Sequence, residues 1–428
     1  MDKTLLKQIV IDQAKEEAFP RTPLVREAYQ TLARFVKSDQ VIVLSGVRRC
    51  GKSTWMKMIC QEAEESNYYL NFDDERLAPF QLEDCQRLVE VFIELYGVQN
   101  TFYFDEMQNF IGWERFVRRL HNEGKKVFVT GSNAKLLSRE LGTHLTGRHY
   151  ELHLYPYSFR EYMQRENAML LTEKNPSSTQ IALIKKHLSD HKQLGGFPKY
   201  LETREKEYLH GIYENILYKD VIVRHKIENV SALKGLAYYL ASNNTKEFTY
   251  NSLRKLLGLS NTTTVSDYCH YLEDSFLCFT VNRYAYSVRK QMHSPKKIYF
   301  IDSALAECVG FRISEDSGRV LENIIYLQLK RQDRHRDIYY HKEEKECDFL
   351  ICKGFHVTDA IQVCSNLQNA KTRKREIAGL LDAMRTHKLE TGLLITEEES
   401  GEEVITEGKN KFHITIMPAW QWLITTSG

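Results

Sequence analysis

The sequence predicts an α/β protein whose N-terminal part is built on a parallel sheet, and two observations carry that prediction. Short apolar or β-rich runs at Val41–Leu44, Tyr68–Phe72, Thr101–Phe104, Lys126–Thr130 and Tyr150–Leu154 alternate with helical stretches. Strands and helices in alternation read as a parallel sheet with helical crossovers. The second observation is the glycine-containing turn after the first run, Gly46-Val47-Arg48-Arg49-Cys50-Gly51-Lys52-Ser53-Thr54, which leads into an amphipathic helix. Strand, glycine-rich turn and helix in that order are the context of a P-loop.

Each residue type in the turn has a chemical reason. Gly46 and Gly51 let the backbone approach phosphates closely, and the helix beginning near Lys52 adds the positive end of its dipole. Lys52 is expected to reach the β- and γ-phosphates of ATP, and Ser53 to ligate Mg²⁺ through its hydroxyl. With Gly at roughly 7%, Lys at about 6% and Ser plus Thr at about 12%, chance produces the pattern in only about 1–2% of such chains.

The third run, Thr101-Phe102-Tyr103-Phe104, ends in Asp105-Glu106. An acidic strand end alone is more often a solvated turn. Downstream of a P-loop it reads as a pair in which Asp105 holds the Mg²⁺ shell and Glu106 is the general base for the attacking water. The fourth run leads to Gly131-Ser132-Asn133, so the Asn133 amide is placed to bond the attacking water or the γ-phosphate; read alone, Asn133 is an N-cap for Ala134–Glu140. Gly147-Arg148 precedes the fifth run. Arg148 has two readings, a finger acting on a neighbouring subunit's ATP in a homo-oligomer and a surface ion pair.

The remaining chain divides by pattern. Residues 1–37 read as helices broken near Phe19–Pro23, and with the core they make a module over 1–155. Residues 156–230 are helical throughout, a lid interrupted by Gly195, Gly196 and Pro198. Over 231–302, the helix Tyr250–Leu257, the turn Gly258-Leu259-Ser260 and the helix Thr263–Asp274 have helix-turn-helix spacing. A β-ribbon follows with Arg283, Arg289, Lys290, Lys296 and Lys297 around Tyr284 and Tyr286, read as a wing. If double-stranded DNA docks there, Asn261, Thr262, Thr263 and Thr264 face it and the basic residues track its backbone. The alternative is a winged helix that serves as a spacer between domains. Residues 303–428 alternate again as an α/β domain.

Bulk properties narrow the classes. The 428 residues carry 59 Lys plus Arg against 57 Asp plus Glu, so a globally basic nucleic-acid surface is not indicated. Nine cysteines show no CxxC pair and no His at zinc spacing, which reads as reduced thiols. No signal-peptide core occurs at Met1–Glu17, and no run approaches the roughly 18 apolar residues of a membrane span, so the expectation is cytoplasmic and without a membrane partner.

The order of P-loop, Asp105-Glu106, Asn133, Arg148 and helical lid resembles AAA+ ATPases. Further stretches, Tyr155–Tyr162, Leu194–Pro198, Lys297–Asp302 and Glu322–Asp348, resemble a prokaryotic family of AAA-type ATPases with a C-terminal restriction-endonuclease-like domain. The resemblance implies that Gly196-Phe197-Pro198 packs by the nucleotide base; otherwise it is a plain lid turn. It also implies that Glu322, Glu346-Cys347-Asp348 and Ala360-Ile361-Gln362-Val363-Cys364 form a PD-(D/E)XK-type core. There the second acid is Gln362 and the lysine is Cys364, so nuclease chemistry is not expected unless Lys353, Lys371 or Lys374 replaces the missing cation. For Glu322 and Asp348 a structural ion pair stands beside metal ligation. The reading of the whole is a Mg²⁺-ATP-hydrolysing, DNA-associated ATPase, with a nucleotide-gated interaction switch without DNA as the alternative and an ATP-dependent nuclease third.

Overall fold

In the computed structural model, residues 1–15, 24–36, 38–65, 67–132, 147–172, 175–311, 317–332, 336–354 and 356–426 are described. The expected break at Phe19–Pro23 lies outside them. The chain divides into two compact units, Met1–Pro156 with Asp274–Phe276, and Tyr157–Glu273 with Leu277–Gly428.

The first unit is centred on a five-stranded sheet of β1 (Val41–Gly46), β2 (Tyr69–Asn71), β3 (Thr101–Asp105), β4 (Lys126–Gly131) and β5 (His149–Leu154), in the order β2-β3-β4-β1-β5. Every neighbouring pair is parallel. β1 is buried at all its positions, as expected of a central strand covered on both faces. The helices Lys3–Lys15, Cys85–Tyr96 and Trp113–Asn122 bury Leu6, Ile9, Leu88, Phe92, Phe116 and Leu120 in a core with Val43, Leu70, Phe104 and Val129. A side chain of this kind contributes about 1.5–3 kcal/mol when fully buried.

Because β1, β3 and β4 are parallel and adjacent, their C-terminal ends come to one edge. Leu44 is level with Thr130, and Phe104 with Val129. That edge is where open α/β sheets hold ligands.

The second unit begins with helices. Phe159–Asn167 and Ser178–Leu194 each start with a capping box, Ser158 with Glu161 and Ser177 with Gln180. A π-helix spans Ile216–Val223 before Val230–Ser242. Next come β6 (Glu247–Phe248), the helices Tyr250–Leu256 and Thr262–Asp274, then β7 (Cys278–Asn282) and β8 (Lys296–Phe300). These strands form an antiparallel sheet in the order β6-β8-β7.

The basic ribbon differs from the sequence expectation. Lys296 and Lys297 open β8, where every residue is buried, so neither is presented as an exposed cation. Lys296 Nζ donates to Asn282 Oδ1 at 2.5 Å. Lys290 and Arg283 both pair with Glu343, at 3.4 and 3.0 Å. Carboxylates from elsewhere in the fold therefore pair with Arg283, Lys290 and Lys297, three of the five cations that a linear reading assigned to a DNA backbone, while Lys296 is bonded to an amide of the ribbon and Arg289 stays exposed.

The last part holds a six-stranded sheet of β9 (Arg336–Lys342), β10 (Glu346–Lys353), β11 (His356–Cys364), β12 (Thr391–Thr396), β13 (Gly401–Glu407) and β14 (Asn410–Pro418), in the order β13-β14-β12-β11-β10-β9. β9, β10 and β11 form an antiparallel meander, and β11, β12 and β14 are parallel. The helix Ser317–Arg331 precedes the meander, and Ala370–His387 links β11 to β12. At Gly379 the latter comes so close to β10 that a Cβ would lie 2.1 Å from the Glu346 carbonyl oxygen.

Candidate functional site

The turn after β1 has the shape its sequence requires. At Gly46, φ is +151° and a Cβ would lie 2.0 Å from the Leu154 carbonyl oxygen on β5, so only glycine fits. Gly51, at φ +101°, is the N-cap of the helix Lys52–Glu62. Val47 and Cys50 are buried, Arg48 is half-buried, and Arg49 and Thr54 are exposed. The Cys50 thiol donates to Leu154 O at 3.3 Å, and burial pushes its pKa up, so it anchors the turn as a neutral group.

Lys52 is buried, and its Nζ donates to the carbonyls of Gly46 and Val47, both at 3.1 Å. It lies 3.9 Å from Glu106 Oε1. Asp105 is fully buried, accepting from Thr130 Oγ1, from Tyr69 Oη at 3.1 Å and from the Ser53 hydroxyl. Burial first, and the neighbouring Glu106 second, raise the Asp105 pKa against those hydroxyl donors. A cation beside it would favour the ionised form. Ser53 and Asp105 thus offer a hydroxyl and a carboxylate, the hard oxygen donors Mg²⁺ takes together with phosphates.

Glu106 occupies the left-handed region, φ 49° and ψ 44°, uncommon for a residue with a side chain. The conformation is held from both sides. Its N–H donates to Thr130 Oγ1 at 2.9 Å, and its Oε2 accepts from Gln108 Nε2 at 2.5 Å. Thr130 thereby ties Asp105 and Glu106 together through one hydroxyl.

Asn133 lies outside the described residues. Arg148 is exposed, and its Nη1 donates to Asn122 Oδ1 at 2.8 Å. Pro198 opens the helix Pro198–Thr203 in the second unit. The glycines before it have packing reasons of their own. A Cβ on Gly195 would lie 2.2 Å from Asp302 Oδ1, and one on Gly196 would lie 2.3 Å from the Tyr157 carbonyl oxygen. The Gly196 N–H donates to Asp302 Oδ2 at 2.7 Å, and its carbonyl accepts from Tyr157 N at the same distance.

Sequence reasoning missed Arg26, which is 5% exposed. Its Nη1 donates to Cys50 O at 3.0 Å and its Nη2 to Tyr155 O at 2.5 Å, so it braces the P-loop backbone from the N-terminal segment. Nothing local distinguishes it from a surface arginine. Thr130 and Gln108 were also overlooked, and their position beside Asp105-Glu106 was the available signal.

A second cluster lies within the second unit. Lys297 Nζ on β8 reaches Asp348 Oδ1 at 2.8 Å, Glu346 Oε1 at 2.9 Å and Glu322 Oε1 at 3.2 Å. Tyr299 Oη donates to Glu322 Oε1 at 2.8 Å. Burial alone would lower the Lys297 pKa, but Asp348 and Glu322 raise it well above the ordinary value, so the ammonium is retained. Burial first and Asp348 second push Glu322 up to about 7. Gln362 accepts from Asp348 N at 3.2 Å and donates to Glu376 Oε2 at 2.6 Å, while the buried Cys364 donates to Asn366 O.

Of the two readings of Glu322 and Asp348, the structure contains the ion pair. Its cation comes from none of the expected lysines: Lys353, Lys371 and Lys374 are exposed, and Lys297 occupies the centre of the carboxylates. Among the described residues no group of three or more His, Cys, Asp or Glu is arranged to hold a metal. No described helix is long and apolar enough to cross a membrane, and all nine cysteines are free.

A parallel sheet with a P-loop after β1 and, at the end of β3 on the far side of β4, the buried Asp105 followed by the half-buried Glu106 defines an AAA-type domain, and residues 38–163 match the AAA domain family. Residues 185–317 match a domain family of unknown function. An uncharacterised protein of Methanocaldococcus jannaschii is 32% identical over 401 residues, covering 90% of this chain and 89% of its own length. The chain belongs to the same family as that protein, a family with an AAA domain. An uncharacterised Haemophilus influenzae protein is 29% identical over 381 residues, 82% of this chain and 92% of its own. Among solved structures, AMPPCP-bound DnaA from Aquifex aeolicus aligns over 58% of this chain and 86% of its own at 16% identity and TM-score 0.26. The RuvB Holliday junction branch migration motor of Thermotoga maritima aligns over 64% and 93% at 13% identity and TM-score 0.30. Nothing about this chain follows from overall similarity that low.

Proposed function

We propose that this protein binds and hydrolyses Mg²⁺-ATP, and that its nucleotide state controls the modules of the second unit. The observation that carries the reading is Glu106: a buried network holds it in a rare backbone conformation, directly after a buried Asp105 and 3.9 Å from the P-loop lysine. A carboxylate is held at such backbone cost when its direction matters.

In this reading Gly46 to Thr54 wrap the phosphates and Lys52 turns from its own loop carbonyls to the β- and γ-phosphates. Ser53 and Asp105 would hold Mg²⁺, which when bound offsets the charge of the phosphates. Glu106 takes the proton of the attacking water. Asn133 and Arg148 stay in the proposal as the sensor amide and the group acting across subunits of a homo-oligomer, with Pro198 as a contact to the base.

For the second unit we retain association with double-stranded DNA through a winged helix, supported by the exposed Thr262, Thr263 and Arg289. The reading as an interaction switch without DNA has an observation behind it too. Arg283, Lys290 and Lys297 are paired with carboxylates and Lys296 is buried, while Tyr286, Val288 and Met292 are 81%, 70% and 69% exposed. The meander flanked by helices supports a nuclease-like ancestry. An ammonium amid the acids, with Gln362 and Cys364 in place of acid and lysine, favours a domain that binds rather than cuts.

Phosphate release by wild type and Glu106→Gln, with and without duplex DNA at low and physiological salt, tests this. Turnover that DNA stimulates and the variant loses by about 10²-fold or more is expected. Turnover indifferent to DNA removes the DNA-associated reading in favour of the switch, and wild-type turnover in the variant removes Glu106 as base.

A further inference from the structure

We infer that Gln108 is a second catalytic contact to the attacking water: its amide nitrogen fixes Glu106, and its amide oxygen accepts the water proton that Glu106 does not take. The inference rests on the ATPase reading above and assigns a residue to the same site.

Gln108 lies in the short 3₁₀ turn Met107–Asn109, immediately after Glu106. Its Nε2 donates to Glu106 Oε2 at 2.5 Å and lies 3.4 Å from Ser132 Oγ. Its Oε1 is buried and has no hydrogen-bond partner among the described residues. A buried acceptor left unmade costs about 1–3 kcal/mol, so an open one beside a candidate general base is a place for a donor. The amide cannot simply be reversed, because Oε1 would then face the Glu106 carboxylate, acceptor against acceptor.

Water has two protons to donate and is oriented fully only when both find acceptors. Glu106 Oε1 is the carboxylate oxygen on the Lys52 side, and Gln108 Oε1 is the amide oxygen left without a partner, closed to water in the rotamer the side chain now holds. In the inferred arrangement the Gln108 amide shifts as nucleotide binds, so that one water bonds both oxygens and turns its lone pair toward the phosphate that Lys52 would hold. In the step, the water oxygen forms a bond to the γ-phosphorus while the bond from that phosphorus to the β–γ bridging oxygen breaks. The bonding pair leaves with ADP, the proton passes to Glu106 Oε1, and Gln108 neither gains nor loses a proton.

The test compares wild type with Gln108→Met, which keeps the side chain's length and removes its polar atoms, and with Gln108→Ala. Four quantities are read: melting temperature, affinity for a fluorescent ATP analogue with Mg²⁺, phosphate release, and affinity for ADP with aluminium fluoride, which mimics the phosphoryl group under in-line attack. The expected result is a fall in kcat of about 10²-fold, with KM and ATP affinity within about 3-fold and the aluminium fluoride complex weakened in step with kcat. Turnover within about 3-fold of wild type in either folded variant overturns the inference, as does an equal loss of affinity for ATP and for the analogue, which marks a merely structural role. A wild type that binds ATP without turning it over overturns the ATPase reading itself; an active wild type with an indifferent Gln108→Met overturns the inference alone.

Discussion

The two lysine–carboxylate clusters of this chain are made of the same groups and differ in what the lysine touches. In the first unit Lys52 bonds backbone carbonyls of its own loop and stays 3.9 Å from Glu106, while hydroxyls alone steady Asp105. In the second, Lys297 contacts three carboxylates at 2.8–3.2 Å. A buried acid steadied by hydroxyls keeps its attraction for a cation from solution, whereas acids already grouped round an ammonium have little left to offer a metal. The difference teaches that a recognisable set of acidic residues is not yet a site; which cation it faces decides that.

The largest break in the comparison is expected from Lys52→Ala. Losing the phosphate contact should weaken ATP binding by about 10²-fold or more, with little change in melting temperature because, besides its own loop carbonyls, the lysine has only the long 3.9 Å pair with Glu106. ATP titration and thermal melting of the same sample check both halves. Mixing this variant with Arg148→Ala should restore part of the turnover if Arg148 acts across subunits, and the absence of rescue removes that role.

Lys297→Ala should do the opposite, leaving ATP affinity intact and destabilising the second unit by about 3–5 kcal/mol, since it leaves the buried Asp348 and Glu322 without their cation, Glu346 keeping Lys342. A denaturant titration checks it. Unchanged stability would mean that the cluster is not a structural pair.

The smallest expected effect sharpens the second cluster. The Glu322 pKa, raised from 4.5 to about 7, makes its proton stabilising in the fold. That contribution is fully present below the unfolded value and is lost as pH rises toward 7, an effect of order 2–3 kcal/mol. Glu322→Gln should flatten the decline in melting temperature across that window, and an unchanged slope would assign the decline to other groups.

How much of this was legible in the sequence depended on the distance over which each feature is made. The alternation of runs and the P-loop are local, and all five expected strands of the first sheet occur. The pairing of the ribbon's cations was not legible because charge is visible in sequence and its partners are not. Glu343 lies far along the chain from Arg283 and Lys290, and Lys297 points into the fold from a strand that local pattern alone would have left half-solvated.

The sequence by itself determined the phosphate turn, its glycines and the acidic strand end, because backbone conformation and nearest-neighbour chemistry specify them within a few residues. Only the tertiary structure decided that Thr130 joins Asp105 to Glu106, that Arg26 braces Cys50, and that Lys297 rather than a lysine of the last domain fills the second cluster. Those contacts come from strand order and from packing across tens of residues, and such pairings leave no periodicity or spacing in the chain that makes them.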